Sequence, residues 1–204
     1  MISKKQLKSG AEIHTWFPKN IYINNIDEQY TVEDLKEIEN ILKSLDSEDI
    51  NSFEFNVSKS KTINDTVIKK EKKLKELFEK ILFSVKEFCI ELGYDEEFCK
   101  KLSIQYSWFN ISKRGDYVQK HIHSNSFLSG TFYVKSGKDD CIRFYDEDML
   151  PSPSNVNNYS YTNTTYNCEP GIVLIFKSNL PHSTNKQTSK EKISISFNVK
   201  VKDK

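Results

Sequence analysis

Apolar positions recur mainly at helical spacing through the first hundred residues, and at every second position beyond Leu102. Val32, Leu35, Ile38, Ile41, Leu42 and Leu45 form one helical stripe. Thr31 is placed as its N-cap, with Glu33 and Asp34 in the first turn, where acids suit the helix dipole. A longer stripe runs through Leu74, Leu77, Phe78, Ile81, Leu82, Val85, Phe88, Cys89 and Leu92. It predicts a helix over about 64–92, stopped by Gly93. From Leu102 onward IQYSWFNIS, DYVQKHIHS, FLSGTFYVKS, CIRFYD, GIVLIFKS and KISISFNVKV read as strands rich in β-branched and aromatic residues. IYINN, from Ile21, adds an edge strand.

Helices followed by a run of strands predict an α+β chain, with an antiparallel core and the N-terminal helices packed on one side. Six or more strands point to a jelly roll, the cupin-like double-stranded β-helix. One domain over 1–204 is expected, with 1–102 a mainly helical buttress and 103–204 the β-helix core. The polar segment 146–170, with Tyr159, Tyr161 and Tyr166, is long for a connection and reads equally as a lid or a loose insertion.

Composition narrows the function classes. The 204 residues are 37% hydrophobic and 12% aromatic, enough for one sizeable core. With 29% charged residues and a net charge of +1, the basic surplus that drives nucleic-acid binding is missing. The lysines of 69–80 are interleaved with Glu71, Glu76 and Glu79 and read as a solvated helix face. No run approaches membrane-spanning length and no apolar leader opens the chain, so no membrane partner and a cytoplasmic location are expected. Cys89, Cys99, Cys141 and Cys168 show no zinc spacing and read as reduced thiols.

The candidate chemistry lies in QKHIHSNSFLSGTFYV and LPHSTN, which hold three of the four histidines. Two apart on a predicted strand, His121 and His123 face the same way. His182 comes from a separate element. Isolated histidines usually pack without chemistry, but three at ligand spacing favour a metal site, since neutral imidazole is the commonest such ligand. Asp116 is an alternative carboxylate ligand. His14 reads as an ordinary surface or packing residue, and Trp108 and Tyr106 as core. Asn110 and Tyr133 are read equally as hydrogen-bonding a bound ligand or as structural. Ser129-Gly130 marks close backbone approach. In the last strand Lys192, Ser194, Ser196 and Asn198 share one face, and Ile193, Ile195, Phe197 and Val199 the other. Alternation alone leaves the polar face open to solvent or to a barrel interior.

Ser107-Trp108, Gly115-Asp116, HIHSNSFLSGTFYV, Pro170-Gly171, LPHSTN and KISISFNV, in that order, resemble a small microbial and phage-associated family of non-haem Fe(II), 2-oxoglutarate-dependent oxygenases. The resemblance covers about 105–199. It implies Fe(II) held by His121, His123 and His182, with 2-oxoglutarate as cosubstrate and O₂ as oxidant. Lys192 and Ser194 stand where the wider superfamily has Arg-x-Ser for the far carboxylate. Two departures are visible: His123 occupies the usual acid position, and Lys192 loses the bidentate fork of an arginine. The implied activity is oxygenation, most simply hydroxylation, of an unidentified small molecule or peptide. Its rivals are a three-histidine cupin-type dioxygenase that uses no 2-oxoglutarate, and a non-catalytic metal-binding module.

Overall fold

The computed structural model describes residues 3–6, 8–9, 11–15, 19–26, 30–47, 52–55, 58–146 and 161–202. Twelve strands and four helices appear among them. The N-terminal half supplies β1 (Ser3–Gln6), β2 (Glu12–Thr15), β3 (Ile21–Asn25), α1 (Val32–Ser47), β4 (Ser52–Phe55) and β5 (Ser58–Thr62), then α2 (Asp65–Lys70), α3 (Lys72–Glu91) and α4 (Glu96–Lys100). The C-terminal half supplies β6 (Leu102–Lys113), β7 (Leu128–Lys135), β8 (Cys141–Tyr145), β9 (Asn163–Asn167), β10 (Ile172–Lys177), β11 (His182–Thr184) and β12 (Glu191–Val201).

The helices arise as their stripes require. Thr31 and Asp34 form a reciprocal cap on α1: Asp34 N–H donates to Thr31 Oγ1 at 3.2 Å, and Thr31 N–H to the Asp34 carboxylate at 2.8 Å. The predicted helix over 64–92 is two helices, because Glu71 between them is extended (φ −93°, ψ 101°). Gly93, at φ 90°, follows the Leu92 cap in the conformation only glycine adopts cheaply. On the exposed face of α3, Lys72 and Lys75 reach Glu76 and Glu79, as a solvated charge run should.

Two antiparallel sheets face each other. The larger runs β3-β10-β7-β12-β6-β5-β4 and the smaller β11-β8-β9. The larger sheet is buried on both faces. Phe132, Val134, Val173, Ile175, Ile193, Ile195, Phe197 and Val199 point toward the helices and join Ile38, Leu42, Leu77, Ile81 and Val85 in the main core. Tyr133, Leu174 and Phe176 point the other way, against Ile142 and Phe144 of the smaller sheet. This is the expected α+β jelly roll, buttressed on one side.

Three expectations are amended. Helix predominates in 1–102, but five short strands that the pattern did not announce as a group lie there too, and β3, β4 and β5 extend the large sheet. IYINN is the edge strand its pattern suggested, whereas SFEF is too short and SKSKT too polar to signal themselves. DYVQKHIHS is not a strand. It is a loop pinned at one bridge, where His121 and His182 exchange N–H···O bonds of 3.0 Å in both directions. Finally, 146–170 is not loop throughout, because Asn163–Asn167 pairs with β8. Residues 147–160, with Tyr159, lie outside the described residues.

Gly130 is where the large sheet needs no side chain. A Cβ there would meet Phe197 Cζ at 2.3 Å and the Leu174 carbonyl oxygen at 2.6 Å. No described helix is long and apolar enough to cross a membrane.

Candidate metal centre

His121, His123 and His182 converge at the open end of the space between the sheets. One ring nitrogen from each lies within 4.8 Å of the others. Their backbones are set by three different contacts. His182 sits on β11 opposite Phe144, His121 is held by the double bridge to His182, and His123 N–H donates to the Ser178 carbonyl at 2.9 Å. Common strand geometry does not align the His-Ile-His pair; the loop does, and the two rings stand 5.0 Å apart, centre to centre.

Second contacts orient the rings. His121 Nδ1 lies 2.8 Å from the Gln119 carbonyl and His182 Nδ1 2.9 Å from the Leu180 carbonyl. A carbonyl only accepts, so both Nδ1 atoms carry the proton and both Nε2 atoms present a lone pair. His123 Nε2 and His182 Nε2 are 3.2 Å apart. Two nitrogens at ~2.1 Å from one metal and at right angles would stand about 3 Å apart, so the spacing suits a shared ion. Burial lowers the basicity of all three. It takes His182 down to about 3 and His123 to about 4, with His121 adding repulsion in each case, and His121 itself is lowered against the pull of the Gln119 carbonyl. The imidazoles are therefore neutral at pH 7, as ligands must be. Asp116 is not among them: its carboxylate accepts from Lys113 N–H at 2.8 Å and closes the turn after β6.

Behind the histidines lies a cavity of about 370 Å³, lined by His121, His123 and His182 together with Lys192, Ser194, Asn110 and Tyr133. Every singled-out site residue thus opens into one space. The polar face of β12 is the barrel interior. Lys192 is 5% exposed and Ser194 7%. No described carboxylate lies within ion-pair reach of the Lys192 ammonium. The nearest acid influence is Asp140, fully buried and already accepting from Gly137 N–H, Thr188 N–H and the Ser189 hydroxyl. Burial raises the Asp140 pKa, but those three donors and the field of Lys192 leave it below the usual value. The same field opposes the burial that pushes the Cys168 thiol up to about 11. Tyr133, 2% exposed, is raised well above its usual value by burial and stays a neutral phenol.

Strand register stacks the cavity in rungs. Lys192 pairs with Ser112 at one level. Ser60, Asn110, Ser194 and Tyr133 form the next level across β5, β6, β12 and β7, and Thr62, Trp108, Ser196 and Thr131 the one after. Tyr106, Asn198 and Ser129 form the outermost. Trp108 and Tyr106 are not core. Trp108 is partly buried beside the His123 ring, 5.7 Å away, and Tyr106 is 58% exposed at the mouth. Both have the same β6 face as Asn110, which the core reading overlooked. Ser60 and Thr62 went unseen because polar β5 has no strand pattern. The Ser60 hydroxyl donates to Asn110 Oδ1, so the unexpected hairpin orients an expected site residue.

The jelly roll thus holds three convergent imidazoles, able to share a metal ion, over a lysine-bearing cavity. Residues 106–198, spanning β6 to β12, match the family described as "Putative 2OG-Fe(II) oxygenase". No curated protein matches the chain in sequence. Among solved structures, a Pseudomonas putida prolyl-4-hydroxylase superposes with a TM-score of 0.62 at 10% identity, over 91% of this chain and 94% of that one. The 2-oxoglutarate-dependent epimerase SnoN of nogalamycin biosynthesis superposes at 0.63 and 11%, covering 89% and 78%. A viral collagen prolyl hydroxylase from Paramecium Bursaria Chlorella virus-1 does so at 0.53 and 13%, covering 89% and 96%. At these identities the superpositions establish the fold. The family match covers the stretch that carries the three histidines and Lys192, and likeness to that family is what the comparisons add to the shared fold.

Proposed function

We propose that the chain hydroxylates a substrate that enters through the Tyr106 end of the cavity, with His121, His123 and His182 holding Fe(II) and Lys192 and Ser194 holding the far carboxylate of 2-oxoglutarate. One observation carries this reading: a buried lysine without a described ionic partner lines the same cavity as three lone-pair-bearing nitrogens. A buried charge without a partner is costly, and a dicarboxylate ligand would supply the missing anion. Bound Fe(II) with 2-oxoglutarate supplies oxidising power through cosubstrate decarboxylation to succinate and CO₂.

The chain's own residues have separable tasks. The Gln119 and Leu180 carbonyls keep His121 and His182 in the ligating tautomer. Ser194 and the Asn110 amide, steadied by Ser60, offer neutral hydrogen-bond donors one rung from Lys192. Leu174, Phe176 and Ile142 form an apolar wall beside the histidines, with the Phe176 ring 4.7 Å from that of His182, which strengthens polar contacts there. The test is succinate release by purified protein with Fe(II), ascorbate and 2-oxoglutarate, expected above that of His182→Ala. Equal release by both proteins would overturn the reading.

The three-histidine donor set favours a second reading, a dioxygenase that binds substrate directly and uses no 2-oxoglutarate. O₂ uptake that persists without 2-oxoglutarate, together with unmeasurable 2-oxoglutarate binding, would select it.

A further inference from the structure

The rungs leave the outer part of the cavity without a task. Lys192 and Ser194 mark its inner end, and the His123 ring lies 5.7 Å from the Trp108 ring. Outward of the Trp108 rung stand Tyr106 and Asn198. Tyr106 and Trp108, two apart on β6, present their side chains to one side of the mouth. Ile122, 49% exposed, lines the same space. Exposing a tyrosine and an isoleucine beside a half-covered tryptophan forgoes burial that the rest of this sheet obtains.

The polar groups here are donors. Asn198 Oδ1 is taken by the Ser129 hydroxyl at 2.8 Å, leaving its Nδ2 with no partner among the described residues. Neither this cavity nor the adjoining groove of about 440 Å³, which meets it at Ile122 and His123, has an Asp or Glu in its described lining. Their lysines are Lys192 and Lys177. Aromatic faces alone would welcome a cation. A metal held by three neutral ligands, with two lysines and no carboxylate, opposes one.

We propose that Tyr106 and Trp108 form a stacking wall for a substrate ring that carries a hydrogen-bond acceptor toward Asn198 Nδ2 and bears no positive charge. The proposal rests on the oxygenase reading for the location of the metal, but the wall is a property of β6 and β12. Asn198 is a specificity residue in it: it supplies a donor where an aspartate would supply an acceptor and a charge.

Benzamide, benzoate and benzamidine share one ring and differ in charge, so they separate stacking from electrostatics. Their affinities are read by ligand-observed NMR at fixed ionic strength, on protein loaded with Zn(II) and 2-oxoglutarate and on protein with Zn(II) alone. Benzamide is expected to bind at least about 10-fold more tightly than the benzamidinium cation, the ratio one unfavourable charge contact of about 1.4 kcal/mol produces. Tyr106→Ala should weaken benzamide about 3- to 10-fold, the range for loss of an aromatic pair, and Tyr106→Phe should restore it. Asn198→Asp, whose carboxylate still accepts from Ser129, should narrow or reverse the preference against benzamidinium. Binding of 2-oxoglutarate should be unchanged in Tyr106→Ala, which shows the fold intact. Equal affinities for the three probes, no binding of any, or indifference to Tyr106→Ala would overturn the wall. If the wild type fails to bind 2-oxoglutarate, the oxygenase reading falls, while the Zn(II)-only titrations still decide the wall.

Discussion

Lys192 and His182 answer different questions, and single substitutions keep them apart. Lys192 is 5% exposed, and a charge-assisted bond from its ammonium to a carboxylate is worth about 1.5–3 kcal/mol. Lys192→Ala is expected to raise the 2-oxoglutarate dissociation constant roughly 10- to 150-fold, while metal affinity hardly moves. Titration of the metal-loaded protein checks both. Unchanged 2-oxoglutarate affinity would remove the lysine from the site. For His182→Ala the order reverses: metal affinity should fall by more than about 10-fold, because a direct ligand is lost rather than an orienting partner. Mn(II) binding followed by electron paramagnetic resonance reads it directly. His123→Asp is the sharper probe of the departure from a carboxylate triad. It should retain metal, since the carboxylate would enter a set of neutral ligands and lower the net charge of the centre.

At the scale of elements, the large sheet tolerates little change where β7 crosses β12. Gly130 has Phe197 on one side and the Leu174 carbonyl on the other, at distances no Cβ occupies. Gly130→Ala should destabilise the protein by about 1–3 kcal/mol through overpacking, seen as a lower urea midpoint with an unchanged slope. Gly130 lies one residue from Thr131 and Ser129, which belong to the rungs of the cavity. The same variant should therefore weaken 2-oxoglutarate binding, whereas a surface change on α3 should not. A variant as stable as the wild type would mean that Phe197 moves aside without cost. The β4–β5 hairpin makes the converse case. Its second strand carries no apolar alternation, yet β5 contributes Ser60 and Thr62 to the cavity. Only pairing with β6 gives them a place.

Across the whole molecule, an ionic cluster fastens the helical layer to the sheet. Glu39 on α1, 6% exposed, accepts from Lys43 at 2.7 Å, from Lys36 at 3.0 Å and from Lys135 on β7 at 3.0 Å. Glu191 on β12 takes Lys43 and Lys135 at 2.8 Å each. Burial alone would raise the Glu39 carboxyl, but the three lysines bring it down to about 2, against an ordinary 4.5. Glu191 is lowered by the same lysines. A carboxyl with a depressed folded-state pKa stabilises the fold above its unfolded pKa, and that contribution is lost as pH falls through the folded value. Stability should therefore decline between about pH 4.5 and 2. Glu39→Gln should cost about 1–3 kcal/mol at pH 7 and much less at pH 2. Urea unfolding at both pH values measures the difference, and an equal cost at each would place the loss in packing rather than charge.

Local periodicity carried a good part of this structure. The stripes of α1 and α3, the Thr31 cap, the stop at Gly93 and the strands β6, β7, β8, β10 and β12 were legible because each buries a face whose period is set by its own backbone geometry. The histidines, Lys192 and Ser194 were legible as residue types at suggestive spacings. What alternation left undecided was which face of β12 looked outward, since a strand covered on both sides shows the same pattern as one with a wet face. The second sheet decided it, closing over Lys192 and Ser194 and turning a polar stripe into a cavity wall. Tertiary contact also placed His121 and His123 on a loop rather than a strand, through hydrogen bonds to His182 and Ser178 far along the chain. It moved Tyr106 and Trp108 from the expected core to the mouth of the site, and brought polar β5 against β6. None of these is a property of a window of neighbouring residues. Each depends on which distant backbone supplies the partner, and only the closed fold specifies that.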